Sequence, residues 1–115
     1  MTRDWSAEQL NLCKQYKCDF VEADQNSKLG IALSTHGKLP VNGLRHPPTE
    51  ATTGWYIWCG TELSEGSEFF IPLHVRHLEE KYPEVVRFLG QPPGYRFLIG
   101  GEHVDIWFDA KLLAV

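Results

Sequence analysis

The stretch that decides the fold is Gly54-Trp55-Tyr56-Ile57-Trp58-Cys59-Gly60. Its four bulky residues lie in a row between two glycines, which predicts a short β-strand with large side chains on both faces. Trp55 and Ile57 point to one side, whereas Tyr56 and Trp58 point to the other. Either the protein covers both faces, or one face presents a Tyr/Trp patch to a partner.

Length and composition predict one soluble domain. The chain has 115 residues, of which 43% are hydrophobic and 23% charged, so we expect residues 1–115 to form a single globular domain. The net charge of −4 argues against nucleic acid as a partner, because nucleic-acid binding needs a basic face. The chain has no apolar run long enough to span a bilayer and no secretory leader, which predicts a cytoplasmic protein without a membrane partner. The sequence does not indicate an oligomeric state.

The three cysteines, Cys13, Cys18 and Cys59, form an odd set. Without an export signal we expect free thiols, and a disulfide between Cys13 and Cys18 is the less favoured alternative.

A helix is predicted near the N-terminus. Ser6 and Gln9 have the spacing of a capping box, and the helix should end near residue 17. An apolar stripe at helical spacing follows the cap: Leu10, Cys13 and Tyr16.

Two short strands and a long loop should follow this helix. Residues 19–22 are a candidate strand, and Leu29-Gly-Ile-Ala-Leu33 is typical of a buried one. Residues 34–53 are rich in glycine and proline, which predicts a connection without regular structure. This connection carries Arg45 and His46 immediately before two prolines.

The second half of the chain should contain two helices and a hairpin. Helices are predicted at residues 72–82 and around residues 85–89, the first beginning near Pro72. A turn at Gly101-Glu102 pairs Phe97 with Ile106 across a C-terminal hairpin. The same register places Arg96 opposite Trp107, with Asp105 on the diagonal, which predicts a cation–π contact and an ion pair.

The order of these elements predicts an α+β fold. We expect a mainly antiparallel sheet with helices packed on one side and a C-terminal β-hairpin.

Motifs for catalysis or metal binding are weak. His74 and His77 share one side of a predicted helix but lack a third ligand, so a helix surface is the favoured interpretation and no metal or cofactor is expected. Cys59 with His46 could be imagined as nucleophile and base, but Cys59 is better explained as a packed residue. No catalytic residue is therefore assigned.

The candidate site is a partner-binding cluster near the aromatic strand. Rings, a guanidinium and a carboxylate around one strand end are typical of a protein-binding hot spot. The alternative is structural: Arg45 and Glu62 would fasten the long loop while the tryptophans fill the core. The partner-binding candidates are Arg45, His46, Tyr56, Trp58, Glu62 and Trp107, and Glu65 and Glu68 would add negative charge toward a basic partner.

Several segments together resemble a known bacterial family. They are Leu29-Gly-Ile-Ala-Leu33, Pro40-Val-Asn-Gly-Leu-Arg-His-Pro-Pro48, the aromatic strand, Phe70-Ile-Pro-Leu-His74, the Pro83–Gly94 stretch, Tyr95-Arg-Phe-Leu98 and Asp105-Ile-Trp-Phe-Asp109. The combination, from about Leu12 onward, resembles immunity proteins of polymorphic-toxin systems, in the group catalogued as immunity protein thirty-three. The resemblance implies a bacterial cytosolic protein, not an enzyme, that binds and blocks a cognate toxin.

Two function classes follow. The leading hypothesis is a binding protein that neutralises a toxin by steric occlusion. The alternative is a small-molecule-binding or hydrolytic enzyme with a pocket under the 34–53 loop, in which Arg45 holds an anionic group and His46 or Glu62 moves a proton. A structural adaptor is a third option.

Overall fold

One six-stranded sheet organises the chain in the computed structural model, which describes residues 4–63, 66 and 69–114. The strands and helices run in the order α1 (Trp5–Tyr16), β1 (Lys28–Ile31), β2 (Val41–Arg45), β3 (Trp55–Cys59), β4 (Ile71–His74), α2 (Leu78–Lys81), β5 (Tyr95–Gly100) and β6 (His103–Phe108). Short 3-10 turns cover Leu33–Thr35, Val75–His77, Val86–Phe88 and Ala110–Leu113.

The strand order across the sheet is β4-β1-β3-β2-β5-β6. Strands β1 and β3 pair in parallel, and the other neighbouring pairs are antiparallel. The prediction of an α+β fold with a mainly antiparallel sheet is confirmed.

One face of the sheet, the helix face, carries the main core. Trp55 and Ile57 are fully buried on it, together with Phe97 of β5. Other strand residues join them, and the helices and 3-10 turns with their flanking residues contribute Trp5, Leu12, Val75, Leu78, Tyr82, Val85, Val86, Phe88 and Leu89. The helices thus pack on one side, as predicted.

The opposite face, the outer face, is partly covered by two segments outside the strands: residues 69–70 and the 3-10 turn Ala110–Leu113. Trp58 is 4% exposed there and belongs to a second cluster with Ala32, Leu44 and Leu112. Phe69 and Phe70 pack against the same cluster. Trp58 is therefore a packed residue of the outer face and not part of an exposed Tyr/Trp patch.

Helix α1 begins earlier than the capping box predicts. Asp4 is the N-cap, and its carboxylate accepts from the Ala7 N–H at 3.0 Å, so the assignment of Ser6 as cap is wrong. The buried stripe is Trp5, Gln9, Leu12 and Cys13, whereas Leu10 is exposed. The end near residue 17 is confirmed, since Lys17 is the C-cap with φ 56°. Of the described helices, none is long and apolar enough to cross a membrane.

The expectation for residues 34–53 is wrong, because this segment contains a central strand. β2 lies between β3 and β5 and pairs with both.

Two strands were predicted before this segment. Residues 19–22 form no strand; instead the Val21 N–H donates to the Gly90 carbonyl at 2.8 Å. The predicted strand at residues 29–33 is found as β1 at Lys28–Ile31.

The helix expected at residues 72–82 begins later than predicted. Ile71–His74 form edge strand β4, followed by a 3-10 turn and the single turn of α2. The second predicted helix is the 3-10 turn Val86–Phe88. His74 and His77 therefore lie on a strand and a 3-10 turn, and not on one helix.

The C-terminal hairpin is confirmed in element and register. Phe97 pairs with Ile106, and Arg96 pairs with Trp107. Gly101, at φ 61°, occupies the turn, where a left-handed conformation favours glycine.

Candidate functional site

The sheet register places two of the six candidate residues in one row on the outer face. Tyr56 pairs with Leu44, Leu44 with Arg96, and Arg96 with Trp107. Directly paired residues point to the same face of a sheet. Three strand spacings put the backbones of Tyr56 and Trp107 about 14 Å apart.

Tyr56 is the best placed of the candidate residues. Its half-buried ring lies over Gly30 of β1, where a Cβ would come within 2.7 Å of the ring. The ring makes edge contacts with His46 at 5.7 Å and with Phe70 at 5.1 Å between centroids. Glycine at position 30 therefore lets the tyrosine lean across the neighbouring strand.

His46 is held in place from two sides. Its backbone N–H donates to the Gly54 carbonyl at 2.9 Å, and its Nδ1 lies 2.9 Å from the Leu112 carbonyl oxygen. Because a carbonyl only accepts, Nδ1 carries the proton in this contact. The imidazole is thereby fixed beside Tyr56.

These two rings line an open depression, here called the outer hollow. Its volume is about 460 Å³, within the range of ligand and anchor-residue pockets. Its lining is mostly apolar and consists of Leu44, His46, Pro47, Thr49, Thr52, Gly54, Tyr56, Leu63 and Phe70. The outer hollow is the feature of the outer face best shaped to receive a side chain.

Arg45 does not reach this surface. It is 1% exposed and points to the helix face. Its guanidinium donates to the carbonyls of Val21 and Gln91 at 2.8 Å, of Thr53 at 3.0 Å and of Glu22 at 3.2 Å. Burial lowers the pKa of Arg45 to about 10, so it stays protonated at neutral pH. Neither a surface anchor nor an anion-binding group fits this position.

The structural alternative for Arg45 is therefore correct in substance. The side chain fastens the segments around residues 21–22, 53 and 89–91, but it does so through backbone carbonyls and not through Glu62. Trp58 is likewise a packed residue, with its ring 6.1 Å from that of Phe70. It supports the outer hollow from behind without offering its ring to a partner.

Glu62 is exposed beside a second, more polar depression of about 1170 Å³. Leu63 lines both this depression and the outer hollow, whereas the adjacent residue Glu62 lines only the second depression. Glu65 and Glu68, the other acidic candidates, lie outside the described residues.

Trp107 is 40% exposed, and the Arg96 guanidinium lies 5.4 Å from its ring centroid. The predicted cation–π contact is confirmed. The predicted ion pair with Asp105 is wrong, because Arg96 pairs with Asp109 at 3.3 Å and Asp105 bonds to His103 at 2.8 Å. The other carboxylate oxygen of Asp109 accepts from the Lys111 N–H at 3.1 Å, which holds Asp109 as the N-cap of the C-terminal turn.

The weak catalytic and metal motifs gain no support from the geometry. Cys59 and His46 lie near opposite ends of the β2–β3 ladder and on opposite faces. Burial raises the pKa of the Cys59 thiol, which makes it a poor nucleophile.

The histidine pair lacks further ligands nearby. His74 and His77 have rings 6.0 Å apart, and among the described residues no three potential ligands cluster. The described cysteines are all free, as expected.

The sequence interpretation missed Leu44, Leu63 and Phe70. Leu44 belongs to a strand in the segment that the sequence predicts to lack regular structure, and Phe69-Phe70 precede the helix predicted at residues 72–82 without an assignment of their own. Two consecutive phenylalanines in a segment without helical spacing are the signal that could have placed them on the outer face.

Comparison with known proteins assigns the chain to a family. No curated protein and no solved structure matches it. The family model described as Imm33-like domain matches residues 8–109, which is most of the chain and includes every candidate site residue. The resemblance drawn from the sequence segments is thus confirmed, and the chain belongs to the Imm33-like domain family.

Proposed function

We propose that this chain is an immunity protein that binds a cognate toxin and neutralises it by steric occlusion, without making or breaking a covalent bond. Its family name supports an immunity role. The observation that supports the outer hollow as the toxin-binding surface is its lining. The rings of His46 and Tyr56 contact each other there beside mostly apolar side chains.

The composition of this surface fits a protein partner. Interface hot spots consist of rigid aromatic side chains in partly desolvated pockets, surrounded by a polar rim. Tyr56 and His46 provide the rings, Leu44 and Phe70 provide the floor, and exposed Glu62 contributes charge nearby. Trp107 extends the same face at the sheet edge. Arg45 and Trp58 act indirectly in this proposal, by holding the strands that present the hollow.

The test begins with the protein encoded immediately upstream. If it arrests growth when expressed alone, co-expression of this chain should restore growth, and the purified pair should form a complex. A non-toxic upstream product that does not bind would count against the proposal.

The surface is tested with two matched leucines. Leu63 at the outer hollow and Leu10 on α1 are 49% and 41% exposed, so a charge at either should leave the fold intact. Leu63→Glu should weaken toxin binding by about 30-fold or more, the loss of one hot-spot residue. Leu10→Glu should bind normally, and equal binding by both variants would place the interface elsewhere.

The ligand-binding alternative has two candidate cavities: the outer hollow, and a depression of about 530 Å³ lined in part by Arg45 and residues 48–53. A metabolite thermal-shift screen distinguishes it, because a ligand at 100 times its dissociation constant stabilises a protein by about 2.7 kcal/mol. A stabilising metabolite whose effect disappears in Leu63→Glu would favour a small-molecule function over toxin binding.

A further inference from the structure

The edge strand β6 has backbone groups without a partner among the described strands. The Asp109 N–H donates to the Gly94 carbonyl at 2.7 Å. Because bonded pairs alternate in an antiparallel ladder, residues 103, 105 and 107 bond to β5. The N–H and C=O groups of Val104, Ile106 and Phe108 therefore point away from the sheet.

The opposite edge, β4, is protected against further pairing. The Val75 N–H donates to the Ser27 carbonyl at 2.9 Å, so the same alternation directs the backbones of Pro72 and His74 outward. Proline has no N–H to offer an incoming strand, and it is a common protection of sheet edges. β6 is longer and contains no proline.

β6 also presents apolar side chains near its open edge. Trp107 is 40% exposed on the outer face, and Phe108 is 51% exposed. A flat edge with exposed rings is a template for another strand.

We infer that β6 pairs antiparallel with β6 of a second copy of this chain, with Ile106 on the twofold axis. In this register Val104 faces Phe108 of the second copy, so every outward N–H and C=O of the three residues finds a partner. On the outer face Asp105 lies opposite Trp107 of the second copy, and His103 lies opposite Asp109. The strand is therefore complementary to itself in hydrogen bonding, and this register sets no two like charges directly opposite each other.

The neighbouring registers are less favourable. A shift by two residues sets Asp105 opposite either Asp105 or Asp109 of the second copy, and like charges directly opposite each other are destabilising. A shift by one residue sets each outward N–H and C=O group opposite a residue whose own backbone groups point back into its sheet, so no hydrogen bond forms. The same shift places side chains of the helix face opposite side chains of the outer face. The positions of the acidic residues thus favour the register centred on Ile106 over the registers shifted by two residues.

The oligomeric state tests this inference directly. Sedimentation across a concentration series should show a species of twice the mass of one chain. Ile106→Lys should give only monomers, because two lysines would then meet on the axis. Ile71→Lys, on the exposed part of β4, should leave the dimer unchanged. A monomer at every concentration, or a dimer that Ile106→Lys leaves intact, would overturn the inference.

Cross-linking tests the register even if the lysine variant fails to fold. In a Cys18→Ser background, Ile106→Cys should form a disulfide-linked dimer under mild oxidation, since bonded Cα atoms lie about 5.5 Å apart. Val104→Cys should not, because the two Val104 positions would be about 13 Å apart. Cross-linking through Val104→Cys alone, or through neither variant, would contradict the proposed pairing.

Discussion

At Arg45, a single guanidinium supplies donors to segments that lack strand partners. Residues 21–22 run beside the sheet without joining a ladder, and two of their carbonyls accept from this side chain. Its aliphatic stem and charge also lie near Trp55, with the guanidinium carbon 5.7 Å from the ring centroid. The residue therefore joins the sheet to the layer that packs on it.

Arg45→Met should destabilise the protein severely, because it leaves several buried carbonyls without donors. We expect the free energy of unfolding to fall by about 3–5 kcal/mol, measured by urea denaturation. Arg76→Met is the matched control: Arg76 is exposed and bonds to Asn26, so the change should stay within about 0.5 kcal/mol. Similar small losses in both variants would refute the structural role of Arg45.

Gln91 shows the opposite situation, a buried side chain whose amide lacks partners. It is 0% exposed, and neither its Oε1 nor its Nε2 forms a hydrogen bond with any residue that the structure describes. Gln91→Met keeps the length of the side chain and removes the unpaired amide, so the free energy of unfolding should rise by about 1 kcal/mol. Thermal and urea unfolding would measure this, and a clear loss of stability would show that the amide makes a favourable contact.

At the scale of elements, β2 depends on a glycine. The Phe97 ring lies over Gly43, and a Cβ at this position would overlap the ring. Phe97 cannot easily move, because it is 1% exposed and stacks on Phe88 at 4.6 Å.

Gly43→Ala should therefore cost about 1–3 kcal/mol of unfolding free energy through overpacking. Gly100→Ala is the control in the same sheet, since a Cβ there meets its nearest atom at 3.7 Å, an ordinary contact. Urea denaturation of both variants, and of Gly43→Ala combined with Phe97→Leu, would check the argument. The double variant should recover part of the loss, and strict additivity would exclude a clash with this ring.

The same strand explains where sequence interpretation stopped. The hairpin β5–β6 was predictable because the buried residues Phe97 and Ile99 alternate with half-buried positions and a glycine marks the turn. In β2 the apolar side chains Val41 and Leu44 belong to different clusters, so no alternation appears. The space above Gly43 is occupied by the Phe97 ring of β5, and the sequence around Gly43 contains no pattern that would indicate this contact. Arg45 was consequently expected at the surface, whereas its position on the side of Val41 directs it inward.

For the molecule as a whole, the outer face is completed by the C-terminal 3-10 turn. Leu112 is 7% exposed and packs with Leu44 and Trp58, while its carbonyl bonds to His46. The turn therefore both closes the second cluster and positions one wall of the outer hollow.

Leu112→Ala should cost about 2–5 kcal/mol of unfolding free energy because it leaves a cavity. Its neighbour Leu113 is 44% exposed, so Leu113→Ala should change stability by less than about 0.5 kcal/mol. Denaturation followed by tryptophan fluorescence would measure both variants. Equal effects would mean that the C-terminal turn contributes little to the packing of Trp58.

The central position of β2 has a consequence for biosynthesis. Its neighbour β3 follows within a few residues, but its other neighbour, β5, begins only at Tyr95. Because chains emerge from the ribosome N-terminus first, β2 remains an open edge of the nascent sheet until Tyr95–Gly100 has been translated. Until β5 exists, the backbone N–H and C=O groups on that side of β2 can accept a strand from another chain, as at any unpaired sheet edge.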